Sequence, residues 1–477
     1  MPIRFGTDGW RAVISDEFTF ENVRHVAQAI ADYVLETRGD SQAPLVIGFD
    51  TRFLSDRYAR EVARVLADEG LTVYLSKSDC PTPALAYAIR HLGALGGVMI
   101  TASHNPPRYN GIKFKAHHTG PALPDETRRI EEILARNLAS GRAPAASRWA
   151  LSNADADYPR IVRFDPMPPY LDHLRKLVDF QAIASSGLRV AVDPMYGAGR
   201  GYIASFLREA GCEVTELHSV MNPGFGGIHP EPIERNLGDL LATMRSGNYD
   251  LGLATDGDAD RIGAVDAKGN FVDPHRIFSL ILRHLVEERQ GRGAVVKTVS
   301  TTQLLNRLSQ HYGLPLYETP VGFNHICALM IKEDVLMGGE ESGGMTIKGH
   351  VLDGDGILMG LLLAELLAYQ CKPLHQIITE LMEEFGPFYY GRNDVHTQTF
   401  DKKELTQRLT AEAPERILHH RVVQVNNSDG VKYLLDDDSW LLIRPSGTEP
   451  LLRIYAEARE RSEVELLLEA GANLAHV

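Results

Sequence analysis

Residues 96–111 read GGVMITASHNPPRYNG, an apolar run that breaks into a rigid polar loop. Gly96–Ala102 has the composition of a buried strand. A polar loop at the carboxyl end of such a strand is where an open α/β sheet gathers its ligands. Ser103 follows almost at once, with His104 beside it. Pro106 and Pro107 limit backbone freedom, which holds a reactive side chain in place. A serine that only caps a turn fits the loop as well, so the loop alone leaves catalysis and local structure both open. The nucleophile elbow G-x-S-x-G is absent, which gives an α/β-hydrolase no support.

Outward from this loop, short apolar strands alternate with helical patterns. Pro44–Asp50 is strand-like, Ser55–Gly70 has helical spacing with a serine start and a glycine stop, Leu71–Leu75 is a strand and Pro83–Gly93 a helix. The rhythm predicts a sheet covered by helices on both faces. It restarts at Leu188–Pro194, followed by helix Gly199–Gly211, strand Cys212–Glu216, helix Leu237–Gly247 and strand Asp250–Ala254. After helix Pro274–Arg289 it restarts again, with strand Ala294–Val299, helix Thr302–Gly313, strand Pro315–Glu318 and helix Gly322–Lys332. From about Phe388, the strands RVVQVN, WLLIRP and LLRIYAEA mix with helices, as in a smaller α+β unit. The proline-rich Phe164–Tyr170 reads as a linker before the second unit, and Ser140–Pro159 as a small, polar surface insertion.

The 477 residues have room for three or four domains. The formal net charge of -14 argues against non-specific nucleic-acid binding. It also requires any anionic ligand to meet cations gathered locally. Cys80, Cys212, Cys327 and Cys371 are far apart with no C-x-x-C pair, which suits a reducing compartment and supports neither a zinc site nor a disulfide framework. No run of about 18 apolar residues exists, so no membrane span is expected. The start MPIRFGTDGW lacks an apolar signal core, and a cytoplasmic location is the expectation.

Three further stretches could carry chemistry. TDGDADRIG (Thr255–Gly263) places Asp256, Asp258 and Asp260 at alternate positions after a buried strand. Carboxylates crowded this closely repel one another unless a cation neutralises them, and hard oxygen ligands suit Mg²⁺ or Ca²⁺. An EF-hand is excluded, because its glycine and glutamate positions hold Arg261 and Ala267. Three carboxylates leave an octahedral shell open to a water or a phosphate oxygen. RPSGTEPLLRIYAE (Arg444–Glu457) brings a guanidinium, two hydroxyls and exposed backbone N–H groups into one turn through Arg444, Ser446, Gly447 and Thr448, with Arg453 close by. Those are phosphate donors, although no Walker A pattern is present. MGGEESGGM (Met337–Met345) frames Glu340, Glu341 and Ser342 with glycines, a mixture of acceptors and donors that suits sugar hydroxyls. YGAGRGY (Tyr196–Tyr202) only partly matches a dinucleotide loop, and the histidines show no H-x-x-x-H pattern.

These motifs, with GTDGWR near the N-terminus, resemble those of the α-D-phosphohexomutase family, which includes phosphoglucomutases and phosphomannomutases. TASHNP, DGDADR, GGEESGG and RPSGTEP match in the family's order, and the resemblance covers essentially the whole chain. It implies an α/β protein with three related mixed α/β three-layer domains plus a C-terminal α+β domain around a central cleft. The expected domains are 1–165 with the catalytic phosphoserine loop, 166–267 with the metal-binding loop, 268–386 with the sugar-binding loop and 387–477 with the phosphate-binding loop. The resemblance makes Ser103 the phosphoserine, and has Asp256, Asp258 and Asp260 hold Mg²⁺ with a phosphoserine oxygen in the open position. It has Glu340 and Ser342 meet sugar hydroxyls, and Arg444, Ser446, Gly447 and Thr448 hold the phosphate that is not being transferred. Arg11, Lys113 and Arg261 match family cations near the reacting serine, and Arg453 adds to the local positive field.

The activity implied is that of a phosphoglucomutase, interconverting glucose 1-phosphate and glucose 6-phosphate through a glucose 1,6-bisphosphate that turns over in the cleft and also serves as activator. The alternatives are a phosphomannomutase or dual-specificity enzyme, then a phosphoglucosamine mutase, a serine-dependent phosphohydrolase or a non-catalytic sugar-phosphate sensor. The partner implied is a phosphorylated hexose, with no nucleic acid or membrane, in a monomer or small homo-oligomer. Two positions depart from close relatives: Gly344 stands where some carry His, and Asn324 where many carry Lys. His104, Lys113 and Lys297 are therefore the candidates for general acid/base, and His350 is a candidate for substrate binding.

Overall fold

The computed structural model describes residues 3–39, 41–142, 144, 158–396, 401–445 and 451–476. They form four sheets. In the first, the order is Trp10–Val13, Tyr109–Ala116, Gly96–Ile100, Leu45–Phe49, Val73–Ser76 and Ile161–Phe164. Leu45–Phe49 and Gly96–Ile100 are buried at every residue and pair in parallel, as continuous apolar runs do when helices cover both faces. Helix Phe20–Arg38, which the sequence reading passed over, starts where Thr19 accepts from the Asn22 amide. Helix Thr82–Leu92 ends at Gly93 in the left-handed region, with φ 57°.

The second sheet runs Phe271–Val272, Ile262–Asp266, Leu251–Thr255, Arg189–Asp193, Glu213–Glu216, and the third Leu316–Thr319, Ala294–Thr298, Val335–Gly339, Met345–Ile347. All three sheets repeat one device. A strand with a parallel neighbour ends in a loop, and an antiparallel strand returns from it: Gly96–Ile100 to Tyr109–Ala116, Leu251–Thr255 to Ile262–Asp266, and Val335–Gly339 to Met345–Ile347. The serine, aspartate and glutamate loops are the tips of these three returns. The fourth sheet is antiparallel, in the order Tyr389–His396, Leu451–Ala458, Trp440–Pro445, Val431–Leu435, His420–Asn426, Arg416–Ile417, and helix Arg461–Ala475 packs on it. The expected class, three related α/β units plus an α+β unit, is the class observed.

The first sheet has its own core, around Val26, Ile30, Val62, Ile47 and Ile112, and the fourth another, around Tyr433, Leu452, Ile454 and Leu467. The second and third share one core, running from Met167 to Phe388 and joined by Cys80 and Ala84 of the first unit. Helix Gly356–Gln370 makes this possible. It is buried from Gly356 through Leu367 and packs against strands Leu251–Thr255 and Ile262–Asp266 as well as helix Pro274–Glu287. Among the described residues no single helix is long and apolar enough to cross a membrane.

Two local expectations change. Ser55 does not cap its helix: Leu54 holds the cap position with φ 61°, and Ser55 Oγ donates to Asp50 Oδ1 at 2.9 Å. Phe164–Tyr170 is not a loose linker, because Met167–Leu177 is a helix with proline in its first turn and Tyr170 is fully buried. Most of the Ser140–Pro159 insertion, residues 143 and 145–157, lies outside the described residues.

Candidate active site

Ser103 is buried at the tip of the first return with φ 50°, a left-handed conformation held by its surroundings. Its amide donates to Thr101 Oγ1 at 2.8 Å. Arg52 ties down the rest of the loop. Its guanidinium donates to the carbonyls of Ser103, Asn105 (2.7 Å), Pro106 (2.9 Å) and Tyr109 (3.0 Å), and lies 3.2 Å from Asp50. Sequence reasoning missed Arg52. The available signal was its place in DTR, just past the carboxyl end of Leu45–Phe49, at the same sheet edge as the serine.

Ser103 Oγ donates to Asp256 Oδ2 at 2.7 Å across the first two units. One carboxylate oxygen each from Asp256, Asp258 and Asp260 lies within 4.8 Å of the others. Lys113, on strand Tyr109–Ala116, donates to Asp258 Oδ2 (2.9 Å) and Asp260 Oδ2 (2.7 Å) and sits 2.9 Å from Asp8. Thr82 Oγ1 donates to Asp258 at 2.6 Å. Three carboxylates thus crowd one ammonium, and Asp258 Oδ1 and Asp260 Oδ1 are buried with no hydrogen-bond partner among the described residues. Burial, then Asp260 and Asp258, pushes Asp256 well above the usual carboxylate range. Burial opposes ionisation of Asp258, but Lys113 and Thr82 hold it well below that range. Burial likewise opposes the charge on Lys113, yet its aspartates keep it firmly protonated. A buried oxygen cage with surplus negative charge and orphaned acceptors is what a hard divalent cation fits.

His104 Nδ1 is 3.4 Å from Ser103 Oγ, and burial together with Arg261, Arg11 and Lys113 keeps its ring well below the ordinary histidine range. Arg11 Nη1 donates to Asn105 Oδ1 at 2.8 Å. The Arg261 amide donates to Asp256 Oδ1 at 3.1 Å, and a backbone bridge pairs Arg261 with Gly344, so the aspartate and glutamate loops touch. Glu340 Oε1 accepts from the Gly322 amide (2.9 Å) and Oε2 from Ser342 Oγ (3.3 Å). Burial and Glu341 push Glu340 up to about 7. Glu341 turns to another partner, Thr298 Oγ1, at 3.2 Å.

Arg444 and Arg453 are cross-strand partners. Arg444 Nε donates to Asp429 Oδ2 at 2.7 Å, and Arg453 Nε is buried without a partner among the described residues. Ser446, Gly447 and Thr448 lie outside the described residues. Two remaining candidates are engaged elsewhere. Lys297 spends its donors on the carbonyls of Thr301 and Thr302 and on Glu318, at the seam with the C-terminal sheet, and burial lowers it to about 8. His350 uses both ring nitrogens, on Asp355 (2.8 Å) and His173 (3.1 Å), so it has none left for substrate.

Models of the phosphoglucomutase/phosphomannomutase alpha/beta/alpha domains I, II and III match residues 2–140, 168–269 and 273–385, and that of the C-terminal domain matches residues 404–474. A phosphoglucomutase/phosphomannomutase of Thermococcus kodakarensis is 31% identical over 470 residues, covering 98% of both chains. A Methanothermobacter thermautotrophicus protein, provisionally named a phosphoglucosamine mutase, is 32% identical over 98% of this chain and 96% of its own. A crystal structure from Thermus thermophilus, provisionally named a phosphomannomutase, superposes with a TM-score of 0.85 at 37% identity and full coverage of both chains.

Proposed function

The chain belongs to the phosphoglucomutase/phosphomannomutase family of the α-D-phosphohexomutase superfamily, whose members are intramolecular phosphotransferases, and we propose that it is a phosphoglucomutase. The observation that carries this reading is the 2.7 Å contact between Ser103 Oγ and Asp256 Oδ2, which sets a nucleophile against a cation cage contributed by a different unit. Residues 1–165 carry the serine loop in this reading, 166–267 the metal loop, 268–386 the sugar loop and 387–477 the phosphate loop.

Ser103 carries the phosphoryl group. Asp256, Asp258 and Asp260 hold Mg²⁺, which when bound offsets the charge of the group in transit. Arg11, Lys113 and Arg261 supply fixed cations on the same side, so positioning and neutralisation take most of the work, as phosphoryl transfer requires. The phosphoryl leaves Ser103 Oγ for the free hydroxyl of a hexose monophosphate, whose proton is lost to a base. His104 is the best-placed base, since its Nδ1 lies 3.4 Å from Ser103 Oγ and all three Lys113 donors are taken by carboxylates. Glu340 and Ser342 meet sugar hydroxyls. Arg444, Ser446, Gly447, Thr448 and Arg453 hold the distal phosphate, either end of the bisphosphate in turn. Glucose 1,6-bisphosphate then activates by phosphorylating Ser103.

The dual name of the Thermococcus relative favours mannose phosphates as a second substrate class. Rates on glucose, mannose and glucosamine 1-phosphates, with intact-mass analysis in parallel, test the reading. Fastest turnover on glucose 1-phosphate and one phosphate on Ser103 are expected, both abolished in Ser103→Ala. Turnover by Ser103→Ala, or stoichiometric release of inorganic phosphate, overturns it.

A further inference from the structure

Far along the chain from the serine loop, the C-terminal sheet gathers a second set of ligating side chains. We propose that His419, His420 and Glu463 form a binding site for a borderline divalent cation, Zn²⁺ being the best match, and that Asp436 and Asp437 orient His420 for it. The hairpin between strands Arg416–Ile417 and His420–Asn426 turns at Leu418, whose φ is 53°. The turn leaves the two imidazoles side by side, with centroids 3.9 Å apart. Glu463, in the first turn of helix Arg461–Ala475, reaches both: its Oε1 is 2.8 Å from His420 Nε2 and 3.5 Å from His419 Nε2. One ligand atom from each of the three residues lies within 4.8 Å of the others.

The distances suit a tetrahedral ion. Bonds of about 2.0–2.1 Å make ligand-to-ligand edges of about 3.3 Å. The His419 edge, at 3.5 Å, is close to that length. The His420 edge is short because a proton is shared there, and ion binding expels that proton to solvent. The other nitrogen of His420 faces carboxylates, with Nδ1 3.3 Å from Asp436 and 3.6 Å from Asp437. Asp437 is fixed by the Ser439 amide and hydroxyl, at 3.0 and 2.7 Å. A carboxylate on Nδ1 sets the tautomer and points Nε2 at the ion, as in zinc sites generally. Imidazole with carboxylate selects zinc-like ions over Mg²⁺, so this site and the aspartate cage differ in chemistry. Glu463 and His420 side chains are 12% and 14% exposed, and His419, at 75%, is the open side where water completes the shell. Binding fastens the terminal helix to the hairpin; it is independent of the reaction proposed above.

The test uses the full chain in saturating Mg²⁺, so that the aspartate cage is filled. Co²⁺ is titrated and read by its visible absorption, Zn²⁺ by calorimetry and melting temperature. One equivalent with the spectrum of four-coordinate nitrogen and oxygen ligation is expected, and Zn²⁺ raises the melting temperature. His419→Ala and Glu463→Gln lose the equivalent, and Asp436→Asn, which removes the carboxylate hydrogen-bonded to Nδ1, weakens it by roughly tenfold; turnover in Mg²⁺ is unchanged in all three. His419 is exposed, so its replacement leaves folding intact. The proposal is overturned if no equivalent binds, if His419→Ala binds as the parent does, or if the equivalent is lost in Asp258→Asn instead.

Discussion

Replacing Gly257 with alanine tests whether the close approach of the aspartate and serine loops sets the rate. A Cβ at Gly257 would lie 2.5 Å from the Ser103 carbonyl oxygen, where ordinary contact begins at 3.4 Å, so the loops must part by about 0.9 Å. The serine side has little freedom to yield, because Arg52 binds that same carbonyl and Thr101 binds the Ser103 amide. The separation falls on the 2.7 Å bond from Ser103 to Asp256 and stretches it past hydrogen-bonding reach. A misplacement of about 1 Å costs roughly a hundredfold in rate, or about 2.7 kcal/mol in the barrier. The overpacking itself costs about 1–3 kcal/mol of stability. A coupled assay for glucose 6-phosphate, with thermal unfolding alongside, should find a folded variant with kcat reduced about a hundredfold and KM changed much less, since the added methyl meets Ser103 and Pro230 and no atom of the glutamate loop. A folded Gly257→Ala enzyme with parental kcat would refute the reasoning.

Arg52→Lys keeps the charge but cannot span four carbonyls; it should lower the melting temperature and reduce kcat by roughly ten- to a hundredfold, and unchanged values of both would show that the loop holds itself. Chelation should abolish turnover and Mg²⁺ restore it, with added Mg²⁺ raising the melting temperature by relieving the crowded aspartates; an active chelated enzyme would remove the cation from the reading. His173 lies half-buried, and burial followed by His350 lowers it to about 4. The native chain then binds fewer protons than the unfolded chain between pH about 4 and about 6.5, so stability falls as pH drops through that window. His173→Gln should shrink the melting-temperature difference between pH about 7.5 and about 5, and an unaltered difference would place the acid sensitivity elsewhere.

The repeating strands and helices could be read because their burial is nearly complete: Leu45–Phe49, Gly96–Ile100 and Leu251–Thr255 are largely apolar runs with every residue inside. Helix Phe20–Arg38 was equally legible, since Val23, Val26, Ala27, Ile30 and Val34 fall on one face. Strand Tyr109–Ala116 was not. Its Lys113 and Lys115 look solvent-facing, yet both are buried, paired with Asp8, Asp258, Asp260 and Asp353, most of them contributed by other units. Arg52 was hidden for the same reason, because its partners are loop carbonyls that only the fold brings together. The serine, the aspartate triplet and the glutamate loop could be singled out in the sequence because their residue types repeat a known grammar. Lys297 and His350 have their polar atoms engaged by neighbours, which proximity in sequence does not reveal.

Helix Gly356–Gln370 has apolar residues on every side, and the second and third units wrap it together. Neither could be excised and expressed by itself without laying that rod bare to water, and a protease cutting between them would yield no autonomous fragment. The terminal sheet has its main interior to itself and meets the third unit through a smaller cluster of Val299, Trp440, Leu442 and Tyr455, so it is the part that genes could exchange most readily, provided that seam is kept.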